Sequence, residues 1–120
     1  MNKLIFSISI ITIMLIASCG KSDSDNPVVT ITSPTTNQMI MSDSVLVAFT
    51  ITDADMHGYE YLIINTTDND TLYEGDEHTH SNVSFSEKFA VPSPAEFRLE
   101  VVGEDHNGNE SNASVNFHTM

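Results

Sequence analysis

There is no tryptophan in this chain, one cysteine, and only four Lys or Arg against 17 Asp or Glu. Each shortage excludes something. A lone Cys19 cannot close an internal disulfide, so any folded domain stands on its core alone, and paired-cysteine zinc or redox motifs are ruled out. The near absence of cationic side chains removes the means to bind a phosphate backbone, so nucleic acid is not a partner. The sequence has no Gly-x-Ser-x-Gly elbow and no glycine-rich phosphate loop, and neither hydrolase nor nucleotide chemistry is indicated. No apolar run reaches the roughly 20 residues of a bilayer-spanning helix.

The chain does hold a shorter apolar run, Leu4–Ala17, preceded by Lys3 and followed by Ser18-Cys19-Gly20. That is the build of a secretory signal ending at small residues. Ile16-Ala17-Ser18-Cys19 resembles the lipobox of bacterial lipoproteins. The resemblance implies a signal peptide over residues 1–18, cleavage before Cys19, and acyl chains on that cysteine that anchor the protein to a membrane. Two or more chains give stable anchoring, whereas one is marginal. Without Lys3, three basic residues (Lys21, Lys88 and Arg98) face 17 acidic ones, a net charge of −14. Residues 19–27 read as the lipidated cysteine and a polar, acidic tether. GKSDSDNP also resembles the export signal of Bacteroidota surface lipoproteins, which implies an outer-membrane and surface-exposed location.

From Val28 to His118 the pattern is that of one β domain. Helical periodicity is absent and period-two alternation recurs. VVTIT (Val28–Thr32) is a strand closed by Ser33-Pro34. Val45, Val47, Phe49 and Ile51 alternate with Leu46, Ala48 and Thr50. Tyr59–Ile64, Thr71–Tyr73, Val83–Val91, Phe97–Val102 and Ala113–Phe117 complete about seven strands. Short strands separated by turn signals predict an antiparallel β-sandwich. VVTITSPTTNQ, VLVAFTITDAD and FRLEVVGEDHNGNES resemble bacterial immunoglobulin-like domains. The whole is similar to short Ig-like lipoproteins of Bacteroidota, some carrying a His-x-His segment and none with an assigned function. The Cys–Trp–Cys pattern of antibody domains is absent.

Five histidines stand out in so acidic a chain. Strands that alternate direction bring the segments Asp53–Gly58, Gly75–Asn82 and Glu104–Asn109 to one end. His57, His78, His80 and His106 then share that end, while His118 lies on the strand leading away. Imidazoles so gathered can ligate Zn²⁺ or Cu²⁺, while Ca²⁺ prefers oxygen. Asp55, Glu77 and Asp105 are candidates to accept hydrogen bonds from the imidazoles. The expected function is a non-catalytic, lipid-anchored binding or accessory module for a protein or glycan. Capture of zinc or copper by the histidines is the alternative.

The anchor gives the first test. Cys19→Ser should move the protein from the membrane to the soluble fraction, provided the signal is still cleaved, which the size of the product shows. Mass spectrometry finding no acyl group on wild-type Cys19 would contradict this reading.

Overall fold

Val45, Val47, Phe49 and Ile51 are at most 1% exposed, whereas Leu46, on the alternate face, is 42% exposed. This is a strand with one face in the core, and the whole domain repeats the device. In the computed structural model, which describes residues 25–120, the strands are β1 Val28–Ser33, β2 Gln38–Ile40, β3 Ser44–Thr52, β4 Met56–Asn65, β5 Asp70–His78, β6 Val83–Ala90, β7 Ala95–Asp105 and β8 Glu110–Thr119. They form two sheets, ordered β1-β3-β6 and β2-β8-β7-β4-β5. No helix occurs among the described residues. The fold is an all-β, immunoglobulin-like sandwich. The signal, Cys19 and most of the tether lie outside the described residues.

Two features depart from the sequence reading. The structure has an eighth strand, β2, which runs parallel to β8 through Gln38↔Phe117, Met39↔His118 and Ile40↔Thr119. Three residues are too few to show alternation, so nothing in the sequence marks it. Strand β5 also continues past Tyr73 to His78. It is the outer strand of its sheet and is largely exposed, so it carries no apolar period to read.

The core lies between the sheets. Phe49 of β3 stacks on Phe85 of β6 at 4.7 Å between ring centroids. Across the interface it meets Tyr59 edge-on at 5.7 Å and Tyr61 at 6.2 Å. Phe97 and Phe117 stack at 5.1 Å. Both tyrosines therefore serve packing, as expected from their alternation with Glu60 and Leu62. Tyr59 also donates a hydrogen bond to Glu77 Oε2 at 2.9 Å. Burial, then that bond and the carboxylate's charge, push its phenol up to about 12.

Turns are set by short polar side chains. Asn65 Oδ1 accepts from the backbone N–H of Thr67 and Asp68, and Asn69 takes the left-handed conformation at φ 61°. Asp105 does more. It is only 1% exposed, and Oδ1 accepts from the N–H of Asn107 at 2.8 Å and of Asn109 at 2.9 Å. Its Oδ2 accepts from the Asn109 amide at 2.8 Å. Gly108 completes the turn at φ 81°, a conformation glycine adopts without Cβ strain. Burial alone would raise the Asp105 pKa, but the donors from Asn109 and Asn107, with His106 beside them, outweigh it and hold the carboxyl below its usual range.

Two outcomes follow for stability. Leu99, fully buried from the sheet facing Phe49, should cost about 2–5 kcal/mol when cut to alanine. That is a large part of a typical 5–15 kcal/mol total, and urea midpoints will show it. For Asp105 the lowered pKa means that its contribution is complete above about pH 4, the unfolded value. It is lost as pH falls through the lower folded value. Midpoints of wild type and Asp105→Asn should therefore stay apart down to about pH 4 and draw together as the pH falls further; a gap constant with pH would show that the charge is not what organises the turn.

Candidate functional site

At the end where β3, β5 and β7 finish, three loops are laced together by backbone N–H groups that donate to carbonyls and to polar side chains. Asp55 N–H donates to Asp53 Oδ1 at 2.7 Å, and Asp53 N–H donates to Asn82 Oδ1 at 3.0 Å. His106 N–H donates to the Asp55 carbonyl, and Thr79 N–H to the His57 carbonyl, both at 3.0 Å. The Thr79 hydroxyl in turn accepts from Ser81 N–H at 3.2 Å. These bonds join the β3–β4, β5–β6 and β7–β8 connections into one rim.

Four imidazoles project from that rim. His57 lies where the β4–β7 register slips, Met56 pairing with Asp105 and Gly58 with Glu104. One extra residue on β4 forms a bulge, and bulges re-aim side chains. His78 ends β5 directly opposite Gly58, which has no side chain to crowd it. His80 and His106 sit in the adjoining loops.

The rings close into a cycle. Centroids are 4.5 Å apart for His57 and His78, 4.9 Å for His78 and His80, 4.9 Å for His80 and His106, and 4.9 Å for His106 and His57. Three contacts are edge-to-face, and His80 stacks on His106 with planes 2° apart. All four sequence candidates thus meet, although His57 and His78 belong to strands and only His80 and His106 to loops. A flat strand would hold His78 and His80 roughly 6.5–7 Å apart along its axis. The chain leaves the strand after His78, and the two rings approach more closely.

The four rings are crowded, and one ring nitrogen lacks a partner. Partial desolvation, then the neighbouring imidazoles of His57, His80 and His106, lower the pKa of His78 and favour its neutral form. His57 Nδ1 is buried with no hydrogen-bond partner. An unpaired buried nitrogen costs about 1–3 kcal/mol. His106 Nδ1 lies 2.9 Å from Asp55 Oδ1 and 3.2 Å from the Asp55 carbonyl oxygen.

Asp55 is accordingly the one of the three acidic candidates that these hydrogen bonds place on an imidazole. Glu77 is bonded to Tyr59, and both Asp105 oxygens are spent on the β7–β8 turn. Neither commitment could be read from sequence, since each depends on a neighbour's side-chain direction. A groove of about 250 Å³ beside the rings is lined by His57 and His78 together with Glu60, Asp76, Glu104 and Glu110. Its carboxylates attract cations to the rim.

Among the described residues, no three His, Cys, Asp or Glu side chains already converge as a metal site. A shared Zn²⁺ or Cu²⁺ would need each ring to turn a nitrogen inward, at a metal–nitrogen distance of about 2 Å, and His80 and His106 are exposed.

No protein family and no curated protein matches the sequence. Among solved structures, the chain is similar to part of an engineered protein, with 13% identity and a TM-score of 0.59 over 79% of this chain and 20% of that one. It is also similar to part of a modular endo-β-1,4-mannanase from Cellulomonas fimi, with 14% identity and a TM-score of 0.51 over 79% of this chain and 19% of the enzyme. The chain thus spans about a fifth of either protein, and at these identities the likeness is one of fold alone.

Proposed function

We propose that this domain is a non-catalytic binding module of the cell envelope whose ligand is a divalent transition-metal ion, zinc or copper. His57, His78, His80 and His106 are its ligands. The observation that carries this reading is the closed cycle of four imidazoles, with one buried ring nitrogen left unpaired. Partial desolvation and its three neighbours disfavour protonation of His78, and imidazole in its neutral form is the metal-binding form.

The parts then have distinct roles. The bulge and the edge strand fix His57 and His78, and the loops let His80 and His106 turn their nitrogens onto the ion. Asp55 orients His106 through the other ring nitrogen, the usual task of a carboxylate behind a metal-bound histidine. The acidic rim concentrates cations. On the lipobox reading, Cys19 and the tether would hold this site at the outer membrane. The broader expectation of a protein or glycan ligand has no comparable cluster behind it.

Titration calorimetry on the purified protein should give about one Zn²⁺ or Cu²⁺ per chain, with affinity falling below about pH 6.5, the ordinary imidazole value, as protons displace the ion. The melting temperature should rise with metal concentration, because the ion binds the native state. The double substitution His78→Ala and His80→Ala should abolish both effects while leaving the metal-free urea midpoint near wild type. Asp43→Asn, which removes one charge at the far end, should change neither. Equal binding by wild type and the histidine double variant would overturn the assignment.

A further inference from the structure

Methionine is distributed strangely over this domain. The described residues contain four, Met39, Met41, Met56 and Met120. Met56 is fully buried, as an apolar side chain should be, but Met39 is 46%, Met41 77% and Met120 71% exposed. Among the described residues those three make up half of the large exposed hydrophobic ones; the others, Val28, Leu46 and Leu72, stand on three other strands.

The three methionines occupy one corner. Strand β2 pairs in parallel with β8, so Met39 lies beside His118 and Ile40 beside Thr119. Met41 and Met120 directly follow the last of these pairs. Ile40 and Thr119 are buried, so their neighbours Met39 and His118 face outward. Met41 and Met120, each the next residue after a buried one, are exposed as well. The result is a Met-x-Met segment alongside His118-Thr119-Met120. Paired positions are roughly 4.8 Å apart and alternate ones roughly 6.5–7 Å. Methionine has three rotatable side-chain bonds, enough to bring the sulfurs together.

We propose that this corner is a second metal site, specific for a soft monovalent ion, Cu(I), taken up by the thioether sulfurs of Met39, Met41 and Met120 with His118 at its flank. Thioethers select Cu(I) and are poor ligands for Zn²⁺, Mg²⁺ or Ca²⁺. They also carry no proton to lose, so the site stays competent where imidazoles protonate. The corner lies at the opposite end of β8 from the β7–β8 turn that carries His106. Ten residues of strand separate the two by roughly 30 Å, so they cannot share an ion. This site does not depend on the histidine site being correct.

The test uses Ag⁺, a redox-inert ion of the same charge and softness, on the full chain carrying Cys19→Ser to remove the competing thiol. With methionine methyl carbons labelled for NMR, one equivalent of Ag⁺ should shift the Met39, Met41 and Met120 signals and leave Met56 in place. The triple substitution to leucine at positions 39, 41 and 120 should lower Ag⁺ affinity by about tenfold or more. Its urea midpoint should match wild type, because all three positions are exposed. The His78→Ala and His80→Ala double variant should retain the methyl shifts. Unmoved methyl signals, or undiminished Ag⁺ affinity in the folded triple variant, would overturn the proposal.

Discussion

The two sheets of this sandwich share no hydrogen-bonded strand pair; what fixes one against the other is the packing of side chains across the gap, with Phe49 at its centre. The histidine rim depends on that contact. The β3–β4 and β5–β6 connections each cross from one sheet to the other, whereas the β7–β8 turn stays within the larger sheet. A small slide between sheets would shift the loop that carries His80 relative to His57, His78 and His106, which stand on the larger sheet or its β7–β8 turn. The aromatic cluster of Phe49, Phe85, Tyr59 and Tyr61 opposes such a slide, because interdigitated rings at close-packed density resist shear. The chemistry at the tip is therefore set by apolar contacts deep in the domain.

The charge of the domain and its histidines work in the same direction. With so few cationic side chains, the carboxylates around the rim find little internal neutralisation. Among the described residues the only Arg–carboxylate pair, Arg98 with Glu100, lies on β7 away from the rim. An excess of fixed negative charge lowers the free energy of any nearby cation. Acidic loops alone would favour hard ions such as Ca²⁺, while imidazoles shift the preference toward zinc and copper. The bulge at His57 and the missing side chain at Gly58 make room for the imidazoles at the rim.

Much of the architecture is legible in the sequence because half-buried strands must alternate. Val45 to Ile51 and Phe97 to Val101 state their buried face residue by residue, and Asn107-Gly108-Asn109 marks its turn. The gathering of four histidines follows from strand direction alone. The rest depends on interactions between distant residues. Strand β2 exists only because β8 is beside it. The exposed strand β5 has no period, so the secondary structure of His78 could not be assigned. Glu77 and Asp105 look alike beside the histidines in sequence. Tyr59 claims the first and the turn amides claim the second, and only Asp55 is left to meet a ring.

The position of β5 at the margin of the larger sheet has a consequence for how these molecules live together. A nine-residue strand with a free side offers unpaired N–H and C=O groups to any similar strand, and such margins seed chain-to-chain pairing. Here the strand carries Asp70, Glu74, Asp76 and Glu77. Two copies laid edge to edge would set carboxylate against carboxylate, with almost no lysine or arginine to separate them. Repulsion thus takes the place of a covering helix, and the same acidity that surrounds the histidine rim keeps neighbouring copies apart.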